Sequence, residues 1–169
     1  MHIEIEPLKK ITIDGISVCL GMERSRVEAL LGKGEPVGER CYYCGGELSV
    51  SYDRSGNVEF MEFLGGLNGN LKPYVYGISA FDGEAGEVSA LLQRHNGGEI
   101  SDDEGGYCHT FRNLSLGLYR ESTPESVSEM VEEAKKLGEP MDPEDIAYEW
   151  KRANHWATIG IGVPGYYQP

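Results

Sequence analysis

Residues 21–32 read GMERSRVEALLG, a glycine followed by a short helical pattern that a second glycine ends. Val27, Leu30 and Leu31 recur at helical spacing and form one apolar stripe. The closing glycine follows the stripe directly, at the position where glycine commonly caps a helix. The pattern therefore predicts a helix over residues 24–31 that buries one face.

A β-hairpin pattern follows this helix. Residues 48–52 read LSVSY and residues 58–63 read VEFMEF, and both segments alternate with the period of half-buried strands. The intervening DRSGN at 53–57 fits a hairpin loop of about five residues. A helix and a hairpin thus follow one another within residues 8–66, which we interpret as a first repeat.

The second half of the chain returns to the same order in a diverged form. The tripeptide GIS at 15–17 recurs at 77–79, and VEALL at 27–31 recurs as VSALL at 88–92. Self-similarity at a fixed order of elements is the signature of a duplicated structural unit. The two halves are therefore predicted to fold alike.

The strands of the second half lie further apart along the chain. LSLGL at 114–118 matches the first hairpin strand, and WATIGIG at 156–162 is the best candidate for its returning partner. Residues 120–155 form an insertion with two helix starts, TPES at 123–126 and DPED at 142–145. In both starts a capping residue precedes proline, and acids lie at the positive end of the helix dipole.

Together these patterns predict an α+β fold in a single domain, residues 1–169. The first repeat covers residues 8–66, and the second covers residues 71–169 with the helical insertion at 120–155. We expect the two hairpins to pair into one antiparallel sheet with the helices on one face. A shared sheet would bury faces that neither short repeat buries alone.

The charge of the chain is strongly negative. It has 28 acidic and 15 basic residues, a formal net charge of −13, and residues 81–169 carry −10 of it. Such a surface repels phosphate backbones and anionic lipids, so we expect neither a nucleic acid nor a membrane as partner. It suits a basic protein partner instead.

The compartment is predicted to be the cytoplasm. The N-terminal residues lack the apolar stretch of a signal peptide, and no segment approaches the length of a membrane span. The chain has four cysteines, Cys19, Cys41, Cys44 and Cys108. Free thiols are expected in a reducing cytosol. A zinc or redox site at Cys41 and Cys44 stays open as an alternative, with Cys108 and His109 as further ligands.

Each half resembles the short repeat of the BLIP-like and SmpA/OmlA-like proteins. Their signature is a glycine, a short helix ending in Leu-Gly, a loop and a hairpin, and residues 21–32 with the hairpin at 47–63 carry it best. These proteins include a secreted β-lactamase inhibitor and envelope assembly lipoproteins, so the resemblance implies protein binding. Residues 114–121, 156–162 and 165–167 also resemble small acidic immunity proteins encoded beside bacterial polymorphic toxins.

Charge and resemblance together predict a non-enzymatic protein-binding module, most concretely a cytosolic immunity protein that binds and neutralises a cognate bacterial toxin. The four histidines belong to no HExxH motif, and the sequence holds neither a nucleophile elbow nor a phosphate loop. The alternative is a housekeeping structural or assembly factor that uses the same repeat as a binding scaffold. An enzyme or a zinc-binding protein is a third hypothesis.

Two groups of residues are predicted to bind the partner. The acidic group would steer association, and it comprises Asp82, Glu84, Asp102, Asp103 and Glu104. The aromatic group, expected in loops or at segment ends, would supply anchors, and it comprises Tyr42, Tyr43, Tyr74, Tyr76, Tyr166 and Tyr167. Trp150 and Trp156 are expected in the core. We predict no catalytic, cofactor-binding or metal-binding residues.

Overall fold

A computed structural model describes residues 2–168 of the chain. The strands in this range are β1 (His2–Glu6), β2 (Lys10–Ile13), β3 (Ile16–Cys19), β4 (Glu35–Val37), β5 (Arg40–Tyr43), β6 (Leu48–Tyr52), β7 (Val58–Phe63), β8 (Lys72–Val75), β9 (Ile78–Ser79), β10 (Cys108–Phe111), β11 (Leu116–Tyr119) and β12 (Thr158–Gly162). The helices are α1 (Arg24–Leu31), α2 (Ala85–Asn96), α3 (Pro124–Lys136) and α4 (Pro143–Ala153).

The strands form two sheets. One is seven-stranded and antiparallel, in the order β10-β11-β12-β7-β6-β5-β4, and the other is five-stranded, in the order β3-β2-β1-β8-β9. In the five-stranded sheet β1 and β8 pair in parallel and the other neighbours are antiparallel. The α+β class predicted from the sequence is confirmed. The strands of the two predicted hairpins do share one antiparallel sheet, since β6, β7, β11 and β12 all belong to the seven-stranded sheet. The prediction missed the second sheet, in which β1, β2 and β3 from residues 2–19 join β8 and β9.

The five-stranded sheet depends on an alternation near the N-terminus. Ile3 and Ile5 of β1 and Ile11 and Ile13 of β2 are buried, and the residues between them are more exposed. This period of two is what a strand with one buried face produces. The same isoleucine alternation would have identified β1 and β2 as strands from the sequence.

The helices and the first hairpin lie where the sequence predicts them. Helix α1 and strands β6 and β7 have the predicted bounds. Helix α3 follows Thr123, whose hydroxyl accepts the Ser126 amide at 3.1 Å, and α4 follows Asp142, whose carboxylate accepts the Glu144 amide at 2.8 Å. Strand β12 begins at Thr158, two residues after the predicted start.

One cluster of buried apolar side chains contains residues of both sheets and of helices α1 and α2. Val27 of α1 and Leu92 of α2 are fully buried in it. Trp156 is also buried there, as predicted, and its indole N–H donates to the carbonyl of Ala85 at 3.0 Å. Trp150, predicted to lie in the core, is only half-buried because it belongs to α4, which packs against α3.

Helices α3 and α4 form a hairpin that is largely exposed to solvent. Val127 in α3 and Ala153 in α4 are the residues of these helices that are buried. Leu137, at the far end of α3, is 73% exposed. Residues 121–150 contain ten acidic residues and two lysines. We call this segment, residues 121–150, the acidic hairpin.

Replacing the cap of α3 tests the start of this hairpin. Thr123→Ala should lower the free energy of unfolding by about 1 kcal/mol, because the Ser126 amide loses its hydrogen-bond acceptor. Ser128→Ala, on the exposed side of the same helix, is the matched control and should change it by less than about 0.5 kcal/mol. Urea unfolding followed by circular dichroism measures both. Equal effects of the two variants would contradict the capping role.

Candidate functional site

The predicted partner-binding residues lie on separate parts of the surface. Tyr42, Tyr166 and Tyr167 lie on the outer side of the seven-stranded sheet. A second group belongs to the five-stranded sheet and its loops, and it consists of Tyr74, Tyr76 and Asp82. A third group lies around the start of α2 and the loop before β10, and it consists of Glu84, Asp102, Asp103 and Glu104. The structure therefore does not assemble all of these residues into one surface.

The prediction that Tyr43 binds the partner is wrong, because its side chain is buried. It is 3% exposed, and its hydroxyl lies 2.7 Å from the hydroxyl of Tyr52. Burial raises its pKa far above the usual value for tyrosine. The physical reason is the alternation of β5, which turns Cys41 and Tyr43 towards the core and leaves Arg40 and Tyr42 on the outer side.

The tyrosines are predicted to lie in loops or at segment ends, and two of them lie one residue before the end of a strand. Tyr42 lies within β5 and Tyr74 within β8. Tyr76 lies in the turn after β8 and stacks on His95, with ring centroids 3.6 Å apart. Half-buried strands such as β5 and β8 accommodate tyrosine well.

The outer side of the seven-stranded sheet is covered by strand side chains and by the C-terminal residues. Two clefts of about 230 and 600 Å³ lie on it, and Arg40 and Tyr166 line both. We call this surface the open sheet face. It is defined by Arg40, Phe60, Glu62, Thr110, Tyr119, Thr158, Tyr166 and Tyr167.

Three aromatic rings pack together on the open sheet face. Tyr166 stacks on Phe60, with centroids 4.6 Å apart and planes within 9° of parallel. Tyr167 meets both rings edge-on, at 6.1 Å from Phe60 and 5.2 Å from Tyr166. Phe60 is 4% exposed and Tyr166 is 39% exposed. A buried ring thus supports an exposed one, in the geometry that aromatic pairs favour.

Glycines on the strands make room for these rings. A Cβ atom on Gly160 would lie 2.4 Å from the ring of Phe60, and one on Gly117 would lie 2.4 Å from the hydroxyl of Tyr167. Gly162 is crowded by the other tyrosine in the same way. Glycine within a strand often marks such a close approach. The alternating glycines of β12 are therefore a signal in the sequence for this packing.

An ion pair lies beside the aromatic rings. Arg40 donates to the carboxylate of Glu62 and, at 3.2 Å, to the hydroxyl of Ser49. Glu62 also accepts a hydrogen bond from the hydroxyl of Thr158 at 2.9 Å. Burial lowers the pKa of Arg40, but the hydrogen bond and charge of Glu62 outweigh it and raise the pKa above its usual value. The pair therefore stays ionised and fixes the surface around Phe60, which the guanidinium approaches to 5.6 Å.

Cys108 and His109 point to opposite sides of β10. Cys108 lines the open sheet face, where burial and the carboxylate of Glu104 raise the pKa of its thiol to about 11. A thiol that stays protonated is a poor nucleophile and a poor metal ligand. The cysteines are free thiols, and residues 2–168 hold no group of three or more His, Cys, Asp or Glu side chains placed to bind a metal ion.

His109 lies in a polar cluster that no local sequence pattern predicts. Its Nδ1 lies 2.9 Å from the hydroxyl of Ser89 on α2, and its Nε2 lies 3.5 Å from a carboxylate oxygen of Asp102. Ser89 is 4% exposed, so its hydroxyl is engaged with the imidazole and is not presented to a substrate. The three residue types are those of a hydrolase triad, but the burial of the hydroxyl does not suit that chemistry.

The predicted acidic residues differ in whether their carboxylates are already bonded within the chain. Asp103 and Glu84 are exposed, whereas Asp102 accepts the amide of Gly106 at 2.6 Å and also faces the imidazole. Asp82 is paired with Lys72 at 3.2 Å. Asp102 is exposed as well, but its carboxylate closes the turn of its own loop.

Comparison with known proteins leaves the family open. No family model, no curated protein and no solved structure matches the chain. The likeness to BLIP-like repeats and to immunity proteins thus stays a prediction. Among the described helices, none combines the length and the apolar character needed to cross a membrane.

Filling a glycine of the open sheet face should disturb its aromatic rings. Gly160→Ala should lower the free energy of unfolding by about 1–3 kcal/mol, because the new methyl group collides with Phe60. Gly86→Ala is the matched control: its Cβ meets no atom within 4 Å, and in a helix it should raise stability by up to about 1 kcal/mol. Urea unfolding compares them, and a stable Gly160→Ala protein would contradict the described packing.

Proposed function

We propose that the chain is a non-enzymatic protein-binding module, and that it acts in the cytosol as an immunity protein that occludes a cognate bacterial toxin. The observation that carries this proposal is the exposed Tyr166 ring held on Phe60 across the open sheet face. The net charge of −13 supports a basic partner. The free cysteines fit a reducing compartment.

The open sheet face has the properties of an interface centre. Tyrosine and arginine are the residue types most common among binding hot spots, and both are present here as Tyr166 and Arg40. Tyr166 is fixed before binding by its stack on Phe60, so little side-chain entropy is lost when a partner covers it. The adjacent clefts have room for side chains of the partner.

The acidic hairpin would supply the long-range attraction. It carries ten carboxylates and two lysines on helices that are mostly exposed. Clustered charge of one sign raises the association rate with an oppositely charged partner. We assign this role to the acidic hairpin rather than to the loop of Asp102, whose carboxylate is already bonded.

We also propose that the halves are tandem repeats, in keeping with residues 8–66 and 71–169 as units. The turns between β2 and β3 and between β8 and β9 have the same form, with positive φ at Asp14 and Gly15 and at Tyr76 and Gly77. In each half a hairpin of this kind precedes a helix, and further strands follow it. This shared order supports the proposal of tandem repeats.

Toxin neutralisation can be tested in living cells. The gene immediately upstream should encode a large secreted protein, and its C-terminal domain should be toxic when expressed alone. Co-expression of this chain should restore growth. Tyr166→Ala should raise the Kd for that domain at least tenfold, about 1.4 kcal/mol, because the exposed anchor is lost. Calorimetry on the purified pair measures the Kd.

The matched control is Tyr148→Ala, which removes a tyrosine that is 48% exposed on α4. It should leave the Kd within about twofold if the open sheet face is the interface centre, since most surface positions contribute little. Equal loss in both variants would contradict the assignment to this face. A toxic neighbour that is not neutralised would contradict the immunity role, and a metabolic operon would favour a housekeeping scaffold.

The steering role of the acidic hairpin has its own test. Glu129→Gln with Glu132→Gln should slow association several-fold at low ionic strength and weaken its salt dependence. Glu4→Gln with Glu6→Gln removes the same charge from β1 and is the matched control. Stopped-flow mixing at several salt concentrations measures the rates. If both double variants slow association equally, only the net charge matters and the hairpin has no special part.

A further inference from the structure

His109 connects three elements of the second half of the chain. It lies on β10, its Nδ1 contacts the hydroxyl of Ser89 on α2, and its Nε2 faces a carboxylate oxygen of Asp102. The other oxygen of Asp102 accepts the amide of Gly106. The imidazole is thus the link between a buried helix face and a turn in the acidic loop, residues 99–107.

The carboxylate of Asp102 and the hydroxyl of Ser89 determine which nitrogen of His109 carries the hydrogen. An ionised carboxylate only accepts, so Nε2 of the neutral imidazole carries the hydrogen that faces Asp102. Nδ1 is then an acceptor, and the hydroxyl of Ser89 donates to it. In the imidazolium both nitrogens donate. The hydroxyl of Ser89 must then turn its hydrogen away from the imidazole and accept from Nδ1 instead.

Charged groups face His109 from the elements packed around it. Asp102 of the acidic loop favours the imidazolium, and Arg120 at the end of β11 disfavours it. Glu84 at the start of α2 lines the same cleft, and the ring of Trp156 lies 4.9 Å away. Burial has the largest effect, and the pKa of His109 is lowered from its usual 6.5. The charge on this residue therefore changes at a pH below 6.5.

We propose that His109 is a proton-operated latch that sets how the acidic loop, residues 99–107, is held against the sheet. When a proton from solvent binds Nδ1, the contact with Asp102 becomes an ion pair and the net negative charge of the region falls by one. Gly106 is hydrogen-bonded to two charged neighbours of His109. Its amide donates to Asp102, and its carbonyl accepts from Arg120 at 2.8 Å, so its position depends on the charge of the imidazole. The latch is a property of the chain alone and does not depend on the proposed function.

Nuclear magnetic resonance on the isotopically labelled full chain tests the latch. In a titration from pH 8 to pH 5, the ring of His109 and the amide of Gly106 should report one shared midpoint below 6.5. In Asp102→Asn the midpoint of His109 should fall, because the carboxylate that favours the imidazolium is gone. The response of Gly106 should then be strongly reduced, although the Asn side chain still offers an oxygen to its amide.

Two further variants test whether the response of Gly106 comes from His109. Asp103→Asn removes a neighbouring charge and should leave both midpoints where they are in the unmodified chain. His109→Gln should abolish the response of Gly106 over this pH range. A Gly106 amide that does not shift, or that still titrates in His109→Gln, would overturn the latch.

Discussion

The pairing of β7 with β12 is the constraint on which the rest of the structure depends. Phe63 pairs with Ile159 and Met61 with Ile161, and all four side chains are at most 1% exposed. The chain must pass through α2, β10, β11 and the acidic hairpin before β12 can take this place. Because β12 also pairs with β11, it joins the strands of the first half to those of the second in one seven-stranded sheet.

The same pairing creates the open sheet face. Alternation along β12 turns Ile159 and Ile161 inwards and Gly160 and Gly162 outwards. The outward glycines leave a shallow surface on which aromatic rings can lie, and Tyr166 is brought there by the turn that follows β12. Stability and the proposed binding surface therefore use opposite sides of one strand, so changes on one side are expected to disturb the other.

Arg120 links the acidic segments to the core. Its side chain donates to the carbonyl of Gly106 in the acidic loop and to the carbonyl of Ala153 at the end of α4, and its guanidinium lies 4.8 Å from the ring of Trp156. Burial lowers the pKa of this arginine, while the nearby carboxylates of Glu125 and Asp102 oppose the shift. The half-buried Arg120 and the buried Trp156 thus connect both acidic segments to the core.

The sequence by itself determined the elements with local causes. The helix of residues 24–31, the hairpin at 48–63 and the helix starts at Thr123 and Asp142 follow from periodicity, turn residues and caps, which act over a few residues. Only the tertiary structure decided that the strands form two sheets, that Tyr43 is buried and that Ser89 meets His109. These outcomes depend on which faces pack together across long separations, and no local pattern encodes that choice.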